Sequence, residues 1–127
     1  MSEDRRAVEF WLPGDVPVKK NSKMMTRGRL ITNPKAQQGL AALTMITRGI
    51  WKGRDPLTKV WLRSVFHVSS RRKDLDNIQT SLLDVLKDAG VIVDDNMVHV
   101  EALETHYVLV AKREEGVLVR ISGMGRG

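Results

Sequence analysis

Apolar residues recur with the clearest period between residues 75 and 89. They stand three or four positions apart, at Leu75, Ile78, Leu82, Val85, Leu86 and Ala89. This spacing is typical of a helix that buries one face, so it predicts a helix from about Asp76 to Ala89, with Gly90 as its C-terminal cap. The opposite, exposed face carries residues about one turn apart, namely Asp76, Thr80, Asp84 and Lys87.

Alternating apolar and polar residues predict strands elsewhere. One strand is expected at residues 8–12, ended by Pro13-Gly14, and a second at residues 60–68. Two more are expected at residues 98–110 and 117–121, joined by a turn as a hairpin. Both faces of the strand at residues 98–110 carry apolar side chains, so either both faces are covered or a bulge shifts the phase.

The segment between the first two strands is less regular. Residues 15–33 are polar and rich in Lys and Arg, which predicts a mobile loop in which only Leu30-Ile31 pairs briefly with a neighbour. Pro34 then opens a second helical pattern, which runs to about Trp51. These elements together predict one α+β domain over residues 1–127, a mixed β-sheet with two main helices packed on it.

Composition narrows the class of partner. A formal net charge of +6 and a pI near 10.0 favour a polyanionic partner such as nucleic acid, although a protein can also be merely basic. The chain has no Cys, which excludes disulfides and thiolate ligands and fits a cytoplasmic protein. No secretory signal and no membrane-spanning run is visible. A chain of 127 residues buries limited surface, so a dimer interface would help to stabilise it.

Candidate chemistry lies around the predicted helix from Asp76 to Ala89. Asp74 and Asp76 follow the basic block at residues 71–73, and the turn-type sequence Asp94-Asp95-Asn96 follows the helix. If the chain returns along the helix, Asp95 approaches Asp74 and Asp76, and the three carboxylates can share one or two hard cations such as Mg²⁺.

Simpler interpretations of the same residues remain open. Asp76 followed by Gln79 resembles a capping box, and acidic residues in a first turn are favoured by the helix dipole without any metal. Residues 94–96 can be only a turn, and residues 71–73 can be only a solvated loop.

In order and spacing, these residues resemble the RusA family of Holliday-junction resolvases. The family motif is a basic run, Asp-x-Asp-Asn, a helix with Asp-x-Leu, a Gly and an Asp-Asp pair. It is matched here by Arg71-Arg72-Lys73, Asp74-Leu75-Asp76-Asn77, Asp84-Val85-Leu86, Gly90 and Asp94-Asp95. Residues 17–21 look like the family's Pro-rich stretch ending in Asn. The resemblance implies a homodimeric, Mg²⁺-dependent endonuclease of four-way DNA, bacterial or phage-encoded, with Mn²⁺ as a possible substitute ion.

The resemblance also implies roles for individual residues. The catalytic and metal-binding carboxylates fall on Asp74, Asp76 and Asp95, with Asn77 and Asp84 in support. Where the family usually carries a Lys one turn after the second Asp, this chain has Thr80, and Lys73 is expected to supply the missing charge. The expected DNA contacts are Lys19, Lys20, Asn21, Lys23, Arg27, Arg29, Arg71, Arg72 and Lys73.

Two other functions stay open. Thr80 is compatible with a protein of the same fold that binds branched DNA and cleaves it weakly. Alternatively, the acidic cluster is structural and the chain is a basic interaction module.

Overall fold

The computed structural model describes residues 7–18, 23–26, 29–32 and 34–125. Six strands, two helices and one 3₁₀ turn occur in this part of the chain. In order they are β1 (Val8–Pro13), β2 (Lys23–Thr26), β3 (Arg29–Thr32), α1 (Pro34–Trp51), β4 (Thr58–Val68), α2 (Leu75–Asp88), β5 (Val100–Leu109), a 3₁₀ turn (Lys112–Glu114) and β6 (Gly116–Met124). The prediction of an α+β domain with two main helices is confirmed.

Four strands form the main sheet in the order β1-β6-β4-β5. β5 runs parallel to β4, whereas β6 is antiparallel to both of its neighbours, so the sheet is mixed. α2 connects β4 to β5, as is usual for two parallel strands, because the chain must return to the same end of the sheet.

The predicted hairpin between the last two strands is wrong. β4 lies between β5 and β6 in the sheet, so those two strands do not pair. After β5 the backbone N–H of Val110 donates to the carbonyl of Val68 at 2.9 Å, and the chain then crosses the end of β4 through the 3₁₀ turn. Hairpins are inferred from local turn signals, and these do not reveal that another strand already occupies the space between.

Both helices cover one face of the sheet, which we call the helix face. Along β4 the residues at alternate positions, Val60, Leu62, Ser64 and Phe66, are buried, while Trp61 and Arg63 on the other face are exposed. Their core partners include Leu82 and Leu86 of α2 and Ile121 of β6, all fully buried. The second face of the sheet, which we call the open face, carries no helix among the described elements.

A bulge near the start of β5 resolves its ambiguous phase. The register moves between the pairs Val60–Val100 and Trp61–Ala102, which leaves Glu101 as an extra residue. Beyond the bulge, Leu103 and Thr105 stand beside Leu62 and Ser64. Directly paired residues of a sheet share a face, so odd-numbered residues of β5 lie on the helix face and even-numbered ones on the open face.

The segment expected to be a loop contains regular structure. β2 and β3 pair antiparallel, with Met24 opposite Ile31 and Met25 opposite Leu30. The prediction of a mobile loop is therefore wrong for these eight positions, although Leu30-Ile31 does pair as expected. Among the described residues, no helix is long and apolar enough to cross a membrane.

Candidate active site

A short loop leads from the end of β4 to α2 and carries the basic block. Glu115, just before β6, fixes the start of this loop, since its Oε2 accepts hydrogen bonds from the hydroxyl of Ser69 at 2.6 Å and from its backbone N–H at 3.1 Å. The hydroxyl bond, with a smaller contribution from the backbone bond and from nearby Lys73, holds the pKa of Glu115 below its usual value. The loop is thus tied to the sheet at its first residue.

Lys73 fixes the other end of the loop. Its ammonium donates hydrogen bonds to a carboxylate oxygen of Asp15 and, at 2.8 Å, to the carbonyl of Val16. Both acceptors belong to the segment that follows β1. This pairing offsets part of the positive charge of Lys73. It also holds the Lys73 side chain against the segment after β1, where it is only partly exposed. Arg71 and Arg72 between these anchors are exposed.

Asp74 and Asp76 stand at the N-terminus of α2. Asp74 is the N-cap, and its Oδ1 accepts from the backbone N–H of Asp76 at 3.0 Å. The capping residue is therefore Asp74, whereas the capping-box alternative required Asp76. Gln79, the other residue of that alternative, is buried and accepts a hydrogen bond from Thr105 at 3.1 Å. Both carboxylates at the helix start are exposed, where the helix dipole favours negative charge.

The supporting residues lie along the first turns of α2. Asn77 is half-buried, and its backbone N–H donates to the carbonyl of Asp74 at 3.1 Å. Thr80 is exposed, but its hydroxyl donates to the carbonyl of Asp76 at 2.9 Å, within its own helix. Asp84 is half-buried, two turns beyond Asp76. Thr80 thus lies on the face with Asp76, as expected, and presents no charge there.

The second acidic segment lies beyond the other end of α2. Gly90, with φ of +81°, ends the helix as predicted, and its N–H donates to the carbonyl of Lys87 at 3.1 Å. Asp94 then forms a tight turn in which its carboxylate accepts from the N–H of Asp95 at 2.8 Å and from the amide of Asn96 at 3.4 Å. The hydrogen bonds from Asp95, followed by the charge of Lys87, hold the pKa of Asp94 below its usual value.

The fold separates these two acidic segments within one chain. Ile92 lies beside Leu57 at the start of β4, and Val100 is paired with Val60, so Asp95 lies near the N-terminal end of β4. Asp74 follows the C-terminal end of the same strand. The stretch of β4 from Val60 to Val68 spans about 26 Å at roughly 3.3 Å per residue.

One ion cannot bridge such a distance. Accordingly, among the described residues, no group of three or more His, Cys, Asp or Glu side chains is arranged to hold one metal ion. The expectation that the chain after α2 returns along the helix and brings Asp95 to Asp74 and Asp76 is therefore wrong within one chain. It is α2 itself that runs back along β4, and β5 starts where β4 starts.

Comparison with known proteins decides the family. The family model described as Endodeoxyribonuclease RusA matches residues 13–122. The chain belongs to the RusA family. It is also 29% identical over 125 residues to the crossover junction endodeoxyribonuclease RusA of Aquifex aeolicus (strain VF5), covering 95% of each chain. The protein is therefore an endodeoxyribonuclease of the Holliday-junction resolvase type, and the structural interpretation as a basic interaction module is set aside.

Part of the RusA-family site suits a hard divalent cation. Mg²⁺ is commonly held by one or two carboxylates while it keeps waters and takes phosphate oxygens from a substrate. Asp74 and Asp76 offer such a pair, two residues apart, both exposed and beside a basic loop. The chemistry of these donors therefore fits Mg²⁺, whereas Asp95 of the same chain lies too far away to join them.

The predicted DNA contacts of this RusA-family chain fall into two groups. Arg71, Arg72 and Lys73 lie on the loop beside Asp74. Of the others, Lys23 and Arg29 lie at the starts of β2 and β3, where only the backbone pairing is described. The remaining contacts lie outside the described residues, namely Lys19, Lys20, Asn21 and Arg27.

Several residues near the RusA-family site were not foreseen. Asp15 and Glu115 anchor the two ends of the basic loop, 58 and 46 residues away from the positions they bind. Tyr107 of β5 lines a cavity of about 190 Å³ together with Lys73 and Leu75, which flank Asp74. Contacts so distant along the chain leave no local pattern in a single sequence.

Proposed function

We propose that the protein is a Mg²⁺-dependent homodimeric endonuclease that resolves four-way DNA junctions by paired symmetric nicks during recombination and repair. The observation that carries this proposal is the pair of exposed carboxylates, Asp74 and Asp76, at a helix N-terminus directly beside an anchored basic loop. A metal ion held by these carboxylates would join them to a DNA phosphate that they would otherwise repel.

The carboxylates and the basic loop have distinct tasks. Asp74 and Asp76 would hold Mg²⁺, for which Mn²⁺ can substitute, and Asn77 would orient them. When bound, Mg²⁺ supplies activation of a water for in-line attack and stabilisation of the charge that develops on phosphorus. Arg71 and Arg72 would hold the phosphate backbone by charge, so binding should weaken steeply with salt.

Asp95 can serve this site only from a second copy of the chain. Within one chain it lies at the opposite end of β4 from Asp74. In a two-fold dimer, the far end of one subunit can approach the near end of the other, which gives two equivalent sites. A four-way junction also has two-fold symmetry and requires two opposed cuts, so a symmetric dimer presents one site to each strand.

The second candidate function is a protein of the same fold that binds branched DNA but cleaves it weakly. The hydroxyl of Thr80 donates within its own helix to Asp76, so it adds no positive charge near the scissile phosphate. Lys73, the expected substitute, is already paired with Asp15. A protein that binds branched DNA tightly and cleaves it slowly is consistent with both contacts.

A cleavage assay on a synthetic four-way junction tests the proposal. The wild-type protein should introduce paired nicks with Mg²⁺ or Mn²⁺, and should cut neither without a divalent ion nor in a linear duplex of matched sequence. The Asp76→Asn variant should bind the junction and leave it uncut. Asp88→Asn, an exposed aspartate at the opposite end of α2, is the matched control and should cut normally.

The possible results separate the two candidates. Junction binding with slow, Mg²⁺-dependent nicking supports the weaker nuclease. Junction cleavage that needs no divalent ion, or that survives the Asp76→Asn substitution, contradicts the proposed site.

A further inference from the structure

The basic loop between β4 and α2 carries three cations in two different states. Arg71 and Arg72 are exposed, and neither guanidinium forms a salt bridge with another residue of the described chain. The side chain of Lys73 is only 29% exposed, and its ammonium donates to the carboxylate of Asp15 and, at 2.8 Å, to the carbonyl of Val16. An ammonium has three donors, so two of them are already in use. Lys73, unlike its two neighbours, is therefore neutralised by a carboxylate.

The segment that accepts these hydrogen bonds is itself fixed. Gly14 begins it in a left-handed conformation, with φ of +90°, and its N–H donates to the carbonyl of Glu115 at 2.8 Å. Val16 is 5% exposed and belongs to the core. Pro17 packs against α1 so closely that a Cβ at Gly39 would lie 2.8 Å from its Cγ. Both acceptors therefore stand on a part of the chain that close packing holds in place.

Lys73 is joined directly to the first of the two candidate metal-binding carboxylates. Asp74 is the next residue and the N-cap of α2, with φ of −76° and ψ of 123°. An N-cap residue lies outside the regular helix, so the helix alone does not fix the backbone that leads into it. The two hydrogen bonds of Lys73 restrict this backbone from the other side. Ligands of a catalytic site have to be held in place by supporting contacts of this kind.

We infer that Asp15 is a positioning residue of the nuclease and that it acts through Lys73. The ion pair clamps the basic loop to the segment after β1 and so fixes the backbone at Asp74. Lys73 then makes no phosphate contact, which leaves Arg71 and Arg72 to hold the DNA. This inference rests on the proposed function and adds to it a residue that lies outside the sequence motif.

The other role open to this ion pair is a competition between Asp15 and a DNA phosphate for the same ammonium. A phosphate that took the third donor of Lys73 would lie beside the Asp15 carboxylate, and like charges so close repel one another. A phosphate that displaced both acceptors would leave the carbonyl of the buried Val16 without its donor, which is unfavourable. The two exposed arginines offer a phosphate a contact with neither penalty.

The salt dependence of DNA binding tests where each cation acts. Each phosphate contact contributes about 0.9 to the slope of the logarithm of the binding constant against the logarithm of the salt concentration. For junction binding without divalent ions, Arg71→Gln and Arg72→Gln should each reduce this slope by about 0.9. Lys73→Gln, which removes the same charge from the same loop, should leave the slope unchanged.

Single-turnover cleavage at saturating protein tests the positioning role. Asp15→Ala and Lys73→Gln should each lower the Mg²⁺-dependent rate by about tenfold or more without weakening junction binding, because a misplaced ligand slows the chemical step. The double variant should be no slower than the slower single variant, since both changes remove the same ion pair. Asp88→Ala is the matched control. It removes an exposed carboxylate at the opposite end of α2 and should cut normally.

A conservative variant separates positioning from a general loss of stability. Asp15→Glu keeps the carboxylate, and the Asp15 side chain is 49% exposed, so the longer side chain has room and should recover most of the cleavage rate. Urea unfolding should show only a small loss of stability for Asp15→Ala, because a partly exposed ion pair contributes little to the folded state. Slow cleavage by a stably folded Asp15→Ala variant is therefore the expected signature.

Several results would overturn the inference. A slope reduced by about 0.9 in Lys73→Gln would show that Lys73 contacts phosphate. Cleavage by Asp15→Ala at the wild-type rate, or additive losses in the double variant, would show that the ion pair does not position the site. If the wild type never cuts a junction, the proposed function fails, and the salt slopes still decide whether Lys73 contacts DNA. If the wild type and Asp15→Ala cut equally well, the proposed function stands and the positioning role fails.

Discussion

The two ends of α2 carry aspartate pairs that look alike in the sequence and have different surroundings in the structure. At its start, Asp74 caps the helix and Asp76 is exposed in the first turn, beside a basic loop. Beyond its end, the carboxylate of Asp94 is used by the turn that it forms with Asp95 and Asn96. Of these four residues, Asp94 thus has its carboxylate used by a turn, whereas Asp74 and Asp76 are both exposed at the helix start.

The basic neighbours of the two pairs differ as well. The loop before Asp74 is held in place by Glu115 and Asp15, so its cations stay near the carboxylates. Around Asp94 the charge of Lys87, in the last turn of α2, acts with the local hydrogen bonds to lower the pKa of Asp94. The comparison predicts that Asp94 serves the fold, whereas Asp95 serves catalysis in another subunit.

The largest expected effect is on the rate of junction cleavage, and it distinguishes Asp95 from its neighbour Asp94. Asp95→Asn should lower Mg²⁺-dependent junction cleavage on the order of a thousandfold, by analogy with removal of a group that stabilises a transition state. Asp94→Asn, the adjacent control, should keep most of the activity. Single-turnover cleavage at saturating protein measures both rates, and equal losses in the two variants would contradict the comparison.

Mixed dimers sharpen the comparison further. Neither Asp76→Asn nor Asp95→Asn should cut alone, but co-expression should yield heterodimers in which one site keeps both carboxylates. Random assembly gives about a quarter of the wild-type number of intact sites, each able to nick one strand. Purification through two different tags isolates these heterodimers for assay.

If Asp95 acted within its own chain, each subunit of such a heterodimer would lack one ligand. The mixed dimers would then be as inactive as the parents. That result would refute the shared site while leaving Asp74 and Asp76 as candidate ligands.

Much of the fold follows from local patterns in the sequence. The period of α2, its end at Gly90 and the alternation in β4 each depend on residues within one element, and all three predictions are confirmed. A bulge in β5 was one of two readings of its mixed phase, and the register shows that it is present.

What the sequence could not reveal depends on contacts between distant segments. Whether β5 pairs with β4 or with β6 depends on the path of α2 across the sheet, which no local signal encodes. That path also determines the separation of Asp74 from Asp95. The motif spacing therefore predicts which residues form the candidate site, while their arrangement required the topology.

A smaller effect is expected at position 80. Thr80→Lys should raise single-turnover junction cleavage, by up to about a hundredfold, because it adds a positive charge one turn from Asp76. Loss of the hydrogen bond from Thr80 to the Asp76 carbonyl should cost little, since the helix N–H groups already use that carbonyl. Thr80→Gln is the control, because glutamine is close to lysine in length and carries no charge.

If Thr80→Lys cuts no faster than Thr80→Gln while both variants remain folded, the N-terminal end of α2 has no charge deficit. In that case the positive charge already present at this end of α2 is sufficient for cleavage. Lys73→Ala should then lower the cleavage rate by more than any weaker binding of the junction explains.

The smallest effect concerns stability at the other end of α2. The folded pKa of Asp94 lies below its ordinary value of 3.8, chiefly through the hydrogen bonds from Asp95, so its contribution to stability is present above that value. As the pH falls through the folded pKa, the carboxylate is protonated and the contribution is lost. Urea unfolding at about pH 6 and at about pH 2.5 should therefore show a smaller acid-induced loss of stability for Asp94→Asn than for the wild type. Identical losses in the two proteins would show that the turn gains nothing from the ionised carboxylate, and the structural role assigned to Asp94 would fail.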